Sequence, residues 1–485
     1  MKITLQSILF LFGLLISNNT FCQGAISSLV NDSQSSIENN QPTCGSYHYM
    51  EQVNNESSNY FDLSTQLMQQ INALVLDQQQ NRAYEDLYVI PVVFHIVYNN
   101  NQENLHDSVL LNQITILNEC FRRKNADTTN TRNVFHPLVG DSKIEFKLAD
   151  IDPAGNPTTG ITRTSSTVSN FGGILPYGAS QTQEIQDWIN DSLFYNFFRI
   201  TQSSLGGSDP WNTDEYLNVW IGDLRILEPQ FNNLEELVFF GLSTPPSNHQ
   251  NWPDSVLQIT DAYHQGVLMH YVNIGANNPN SLPAPYTAYN GLVNKGKMLV
   301  HETGHYLGLR HIWADGDCTI DDHISDTPLA NNPSQYNCNP SLNSCVDNIN
   351  GQDLPNMTEN YMDYSSSDCQ NAFTIGQADV MRAVLENFRI DLPTVISTAS
   401  IAESNLLEKV IIYPNPSNGN VFIDLGTNIE NVQLSIFNGV GQVVLTKNYV
   451  KTKIIPLGLA IEPGVYFVQL STENGKQWSQ KIIIE

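Results

Sequence analysis

Five residue types at fixed spacing stand out in the stretch HETGHYLGLRH, which runs from His301 through Glu302, His305 and Gly308 to His311. On a helix of 3.6 residues per turn, His301 and His305 lie one turn apart on the same face, so both imidazoles reach one zinc ion at roughly 2.0–2.1 Å. Glu302 sits about 100° round that helix, beside the metal and not on it, where a carboxylate takes a proton from an attacking water. Gly308 is the residue type that accepts positive φ and ends a helix, which lets His311 return to the metal from another side. Three neutral ligands leave the fourth tetrahedral position open, the mark of a catalytic zinc site and not a structural one. An amphipathic helix with solvated histidines is the plain alternative, and it requires none of these five placements.

A second cluster completes the site. In NYMDY (360–364), a core Met362 and a core Tyr364 are the default on sequence alone, but next to the histidine motif they read as a Met beneath the metal and a Tyr completing the zinc site. Just after the histidines, DGDCTIDDHISD (315–326) gathers five acids with no Lys or Arg, either a solvated acidic loop or an oxygen-rich calcium site. The D-x-D-x-D-G pattern of an EF-hand is absent. Cys318, Cys338, Cys345 and Cys369 fall within about fifty residues of this loop. No C-x-x-C occurs among them, so local disulfides are expected over a second zinc site.

The elements that hold these residues follow from hydrophobic period. LYVIPVVFHIVYN (87–99) reads as a strand buried on both faces, with His95 a packed core residue. Residues 108–123 and 373–388 read as amphipathic helices, and 144–151 and 216–224 as strands. A helix is expected near Glu184. QGVLMHYVNI (265–274) reads as an edge strand able to hold an extended peptide, with His264 and His270 structural. The metal helix is expected over 291–307. The sum is an α+β domain: a mixed sheet with helices packed beneath it.

The chain's two ends differ from this middle. Residues 1–22 carry one early positive charge, Lys2, and an apolar run too short to span a bilayer, so they read as a cleaved signal peptide. A lipid anchor on Cys22 is the rival, which Phe21 fits poorly. From 23 to 82 the composition is rich in Asn, Gln and Ser and reads as a lightly folded leader with one helix over 63–76. Within it, Cys44-Gly45 offers a thiolate that can fill the open zinc position and silence the site. A disulfide from Cys44 to Cys120 is the competing reading. The domain proper then covers 83–392, a small-residue linker 393–406, and a module of short strands and turns 407–485, which reads as a small all-β sandwich. That module contains no His and no Cys, so no catalysis is expected there.

With 22 Lys+Arg against 49 Asp+Glu, the 485-residue chain has a formal charge of -27. Nucleic acid and anionic membrane surfaces are thereby excluded as partners. The balance suits a secreted, soluble protein.

The motif at His301–His311, with Met362 and Tyr364, resembles the metzincin zinc endopeptidases, and in particular the pappalysin (cytophagalysin-like) family. The resemblance covers roughly residues 44–388, through IPVVFHIVY, GITRT, DDHISDTP, NYMDY and FTIGQ. It implies a metzincin fold with a Met-turn, hydrolysis of protein or peptide substrates, and disulfides Cys318–Cys345 and Cys338–Cys369. It also implies calcium at Asp322, Ile324, Asp326 and Thr327, Tyr364 as oxyanion donor, and Cys44 as the leader residue that caps zinc in the zymogen. Some relatives cut beside Lys or Arg using an acid after the Met-turn, where this chain has Ser367 and Asp368. The last module resembles the type IX secretion sorting domain through YPNPSNG, GVYFVQL and the terminal KIIIE. That implies passage through the periplasm and outer membrane by the type IX machinery, with release or surface anchoring. A non-catalytic secreted adhesin with a structural zinc is the alternative function.

Overall fold

The computed structural model describes residues 43–57, 60–79, 86–174, 194–230, 233–246, 261–282, 286–396, 410–439, 441–472 and 477–485. The expected signal peptide at 1–22, the helix near Glu184, the leader's expected end at residue 82 and most of the linker lie outside these residues. The chain forms two units, Met1–Thr398 and Ala399–Glu485. Among the described residues, no helix is long and apolar enough to cross a membrane.

The first unit is built on a mixed sheet. Its leader contributes β1 (Thr43–Cys44), and the domain contributes β2 (Leu87–Tyr98), β3 (Ile144–Leu148), β4 (Ile161–Ser165), β5 (Leu217–Gly222), β6 (Arg225–Gln230), β7 (Asn233–Ser243), β8 (Val267–His270) and β9 (Thr394–Ile396). The order is β1-β7-β8-β5-β2-β3, with β4 and β9 also on β2 and β6 on β7. Strand β2 is the centre: β3, β4 and β5 all pair with it in parallel. A parallel strand covered on both faces reads as a continuous apolar run, which explains LYVIPVVFHIVY. His95 is buried there, bonded to Thr162 Oγ1 at 2.8 Å and Asn218 Oδ1 at 2.9 Å.

Two expectations need correction. The stretch 265–274 is not an edge: β8 occupies four of those residues, all buried, between β5 and antiparallel β7. The sheet's edge on that side is β7, to which β1 of the leader adds in parallel. Nor is the leader lightly folded. It forms α1 (Ser46–Ser57) and α2 (Tyr60–Gln79). Its Tyr49, Val53, Tyr60, Leu63, Leu67, Met68 and Ile71 are buried in the same core as the sheet.

Three further helices pack on the sheet: α3 (Asp107–Phe121), α4 (Lys297–Tyr306) and α5 (Ile375–Asn387). The metal helix α4 begins later than its apolar pattern suggested because Gly296 takes φ 68°. A Cβ there would stand 2.7 Å from Ile116 Cδ1 on α3, so only glycine lets the two helices approach. Helix α5 opens with a capping box, in which Thr374 and Gln377 each bond the other's backbone N–H. Between α4 and α5 the chain is irregular and is cross-linked by Cys318–Cys345 and Cys338–Cys369, with Cα separations of 5.5 and 5.8 Å.

The second unit is one antiparallel sheet of β10 (Ile411–Tyr413), β11 (Asn420–Asn438), β12 (Val443–Gly458), β13 (Gly464–Thr472) and β14 (Gln477–Ile484). The register of β11 on β12 breaks between Asp424 and Ile429, which divides β11 into two halves. Val421, Ile423 and Leu425 of the first half join Leu434 and Ile436 of the second, with Val468 and Leu470, in a single core.

Candidate active site

The sequence places His301 and His305 on α4, and the backbone does the rest. Gly308, at φ 92°, turns the chain so that His311 comes back to the same point. Nε2 of His305 lies 3.1 Å from Nε2 of His301 and 3.1 Å from Nε2 of His311. Each ring has an acceptor on its other nitrogen: Tyr361 O for His301 at 2.7 Å, Leu309 O for His305 at 2.9 Å, and Asp315 Oδ1 for His311 at 2.6 Å. These acceptors hold the protons on Nδ1, so three Nε2 lone pairs converge. That juxtaposition is repulsive unless a cation sits among them. A tetrahedral zinc with bonds of roughly 2.0–2.1 Å separates its ligands by about 3.3–3.4 Å, close to what the rings provide. Burial also keeps two of these imidazoles neutral, as a metal requires, lowering His301 to about 3 and His305 well below the usual range.

Cys44 joins this group: its Sγ and one nitrogen of each histidine all lie within 4.8 Å of one another. Neither Cys44 nor Cys120 is in a disulfide. Cys120 instead lies buried on α3, so the expected alternative pairing of the two is absent.

Glu302 is buried beside the histidines. Burial raises its carboxyl to about 7, opposed by hydrogen bonds from Cys44, Ser46 and Ser243. Strand β7 passes directly over it. A Cβ on Gly241 would stand 2.7 Å from Glu302 Cγ, so glycine is what permits the crossing.

The Met-turn closes the site from below. Met362 is fully buried, and a Cβ on Gly304 of α4 would lie 2.5 Å from its sulfur. Tyr361, next to it, supplies the carbonyl that orients His301. The Tyr364 ring centres 5.6 Å from His301 and 4.9 Å from His311, while Trp313 stacks flat on His311 at 4.2 Å.

Of the four residues expected at calcium, three come together. The Asp322 carboxylate accepts from Thr327 Oγ1 at 2.8 Å, and Thr327 Oγ1 lies 2.6 Å from Ile324 O. Burial pushes Asp322 well up, the desolvation outweighing the hydrogen bonds from Ile324 N–H and Thr327. One oxygen of the Asp326 carboxylate, Oδ2, accepts from Gly376 N–H at 2.7 Å in the first turn of α5, while Oδ1 is buried with no hydrogen-bond partner among the described residues. After the Met-turn, Asp368 pairs with Lys295, and the Ser367 carbonyl accepts from the buried Lys297 ammonium at 2.9 Å.

Sequence reasoning missed Ser46, Ser243 and Gly241, all within reach of Glu302. Their partners lie about 60 to 250 residues away, and no local pattern signals them. A cavity of about 120 Å³ separates Met50, Phe61, Leu67 and Met68 of the leader from His305, Leu309 and His311.

Comparison with known proteins agrees with this geometry. Residues 274–386 match the family model described as pregnancy-associated plasma protein-A, a peptidase family, and residues 411–485 match the secretion system C-terminal sorting domain. An extracellular metalloprotease of Arthroderma benhamiae is 40% identical over 101 residues, 20% of this chain and 34% of that one. One from Coccidioides posadasii is 36% identical over 115 residues, 23% of this chain and 36% of its own length. The chain thus spans about a third of the curated relatives it matches. Among solved structures, a Tannerella forsythia promirolysin mutant is 34% identical, covering 72% of this chain and 96% of its own, with a TM-score of 0.54. With that identity over nearly all of a relative of solved structure, the chain belongs to the pappalysin family of metalloendopeptidases and carries the C-terminal sorting domain of a secreted protein.

Proposed function

We propose that the chain is a secreted zinc-dependent endopeptidase made as a zymogen. One observation carries this reading: three Nε2 lone pairs converge beside a buried carboxylate that is not itself among them. His301, His305 and His311 would hold the zinc, with Cys44 of the leader in the fourth position. Zinc so bound supplies Lewis acidity and brings the pKa of water toward about 7. Glu302 then accepts the proton of the attacking water and returns it to the leaving amine, work for which its raised pKa suits it. The Tyr364 hydroxyl donates to the tetrahedral oxyanion. Met362 packs under α4 and does no chemistry. With the leader gone, β7 is the free edge on which a substrate lies extended. Asp322, Ile324, Asp326 and Thr327 would hold a structural calcium. The sorting module directs export through the type IX machinery.

Glu302→Ala tests the assignment. In the leader-free enzyme it should keep stoichiometric zinc and lose at least about 100-fold in kcat on a quenched peptide. Retention of substantial activity removes Glu302 from its role. A zinc-loaded, leader-free protein that cleaves no peptide at all would return the chain to the adhesin reading.

A further inference from the structure

Two residues beyond Cys44, Ser46 makes contacts that occupying a metal position does not require. We propose that Ser46 is a second latch of the leader, holding the general base Glu302 while Cys44 holds the metal position. This inference rests on the endopeptidase reading above and deepens its regulation.

The geometry is specific. Ser46 is 5% exposed. Its Oγ accepts from the Ser243 backbone N–H at 2.9 Å and lies 2.9 Å from Glu302 Oε2. The amide can only donate, so the single hydroxyl proton points at the carboxylate. A buried bond of that kind, to a charged acceptor, is among the stronger ones. Gly45 makes the double reach possible. Its N–H donates to Gly241 O at 2.7 Å, and a Cβ there would crowd Gly241 O and Phe239 at 3.3 Å. The leader thus presses against β7, with a thiol on one side of the glycine and a hydroxyl on the other. The Ser46 N–H also donates to Cys44 Sγ at 3.4 Å, tying the two latches together.

The consequence is two-point silencing. While Oε2 is held by Ser46, Glu302 cannot receive a proton from water there, even when the thiol lifts away. Loss of the leader frees Oε2 and the Ser243 N–H together, at the end of the strand that receives substrate. The Ser243 hydroxyl, which also bonds Glu302, stays behind.

The test is alkylation of Cys44 by iodoacetamide in the zinc-loaded full-length precursor, read by mass spectrometry, which needs no enzymatic activity. Cys120, in the core, stays unlabelled in a folded chain and separates leader opening from unfolding. Ser46→Ala should speed Cys44 labelling about 10- to 100-fold, the range for losing a bond to a charged group. In a Glu302→Ala background the same substitution should accelerate labelling several-fold less, since the carboxylate partner is already gone and only the bond from the Ser243 N–H is left to lose. Ser46→Thr, which keeps the hydroxyl, should label near the unaltered rate. Equal rates for Ser46→Ala and the unaltered precursor overturn the latch, as does equal acceleration in both backgrounds. If Cys44 of the unaltered precursor labels as fast as in urea, it is instead the zymogen reading that fails.

Discussion

Gly304 sits on the metal helix between the two histidines of its motif, and the absence of its side chain is what lets Met362 pack against α4. A methyl group at 304 would stand 2.5 Å from Met362 Sδ, 3.3 Å from its Cε and 3.5 Å from Leu309 Cδ1. Met362 is wholly buried and has nowhere to retreat. Overpacking of this kind costs about 1–3 kcal/mol. Alanine in a helix interior regains about 1 kcal/mol over glycine. Gly304→Ala should therefore destabilise the unaltered chain by about 0–2 kcal/mol. In a Met362→Ala background the sign reverses. That substitution alone costs about 2–5 kcal/mol through its cavity, but it removes the obstacle, so Gly304→Ala then stabilises by up to about 1 kcal/mol. The cycle gives a coupling of about 1–3 kcal/mol, measured as shifts of the urea midpoint at constant slope. Should Gly304→Ala destabilise both backgrounds equally, the packing of the Met-turn on the helix is not what demands glycine at 304.

Other outcomes follow from the same structure. Burial lowers His95 to about 4 in the fold, against about 6.5 unfolded. Between those values the unfolded chain binds more protons, so this contribution is complete above about pH 6.5 and is lost as pH falls toward 4. The loss is on the order of 3 kcal/mol. His95→Gln should flatten the stability profile in that window, and parallel profiles for the two proteins would count against a buried neutral His95. Removing the Cys318–Cys345 bridge, which spans 27 residues, with a Cys318→Ser, Cys345→Ser pair should lower unfolding free energy by about 3–4 kcal/mol. An unchanged thermal midpoint would mean the loop is held closed by other contacts.

How much of this was readable in the sequence depends on the range of the contact. The three histidines proposed as metal ligands, Glu302 and Gly308 sit on one helix and its turn, where spacing translates directly into geometry. Helices α3 and α5 and strand β2 carry full periodic patterns and lie within two or three residues of their expected ends. The β6–β7 pair raised no expectation, although RILEPQ and NLEELVFFGLS lie only two residues apart. The weak signal has a physical cause: Gly241 interrupts the apolar run of β7 because Glu302 lies beneath it. Missing β7 is what left 265–274 looking like the edge.

The leader was misread for a related reason. Its Asn, Gln and Ser residues dominate the composition, yet Tyr60, Leu63, Leu67, Met68 and Ile71 recur at helical spacing and are all buried. Composition averages over faces; burial does not.

That distinction bears on how latency is built. A cysteine capping a metal needs only a short tether, and a short tether is what the Cys44-Gly45 signal suggests. The fold supplies far more: seven leader side chains lie inside the domain's own core. Each buried side chain of that size contributes roughly 1.5–3 kcal/mol, so the leader is held by something on the order of 10 kcal/mol or more before Cys44 and Ser46 are counted. The polar anchors repeat the pattern at the surface of the site. Arg310, next to the last metal ligand, donates to Ser64 Oγ at 2.9 Å, and Asn72 donates to His323 O of the acidic loop at 2.7 Å. The leader therefore touches the proposed base Glu302, a neighbour of the proposed metal ligand His311 and the acidic loop at once. The chemistry of the site is local and legible in eleven residues, whereas its silencing is a long-range property of packing that only the assembled fold displays.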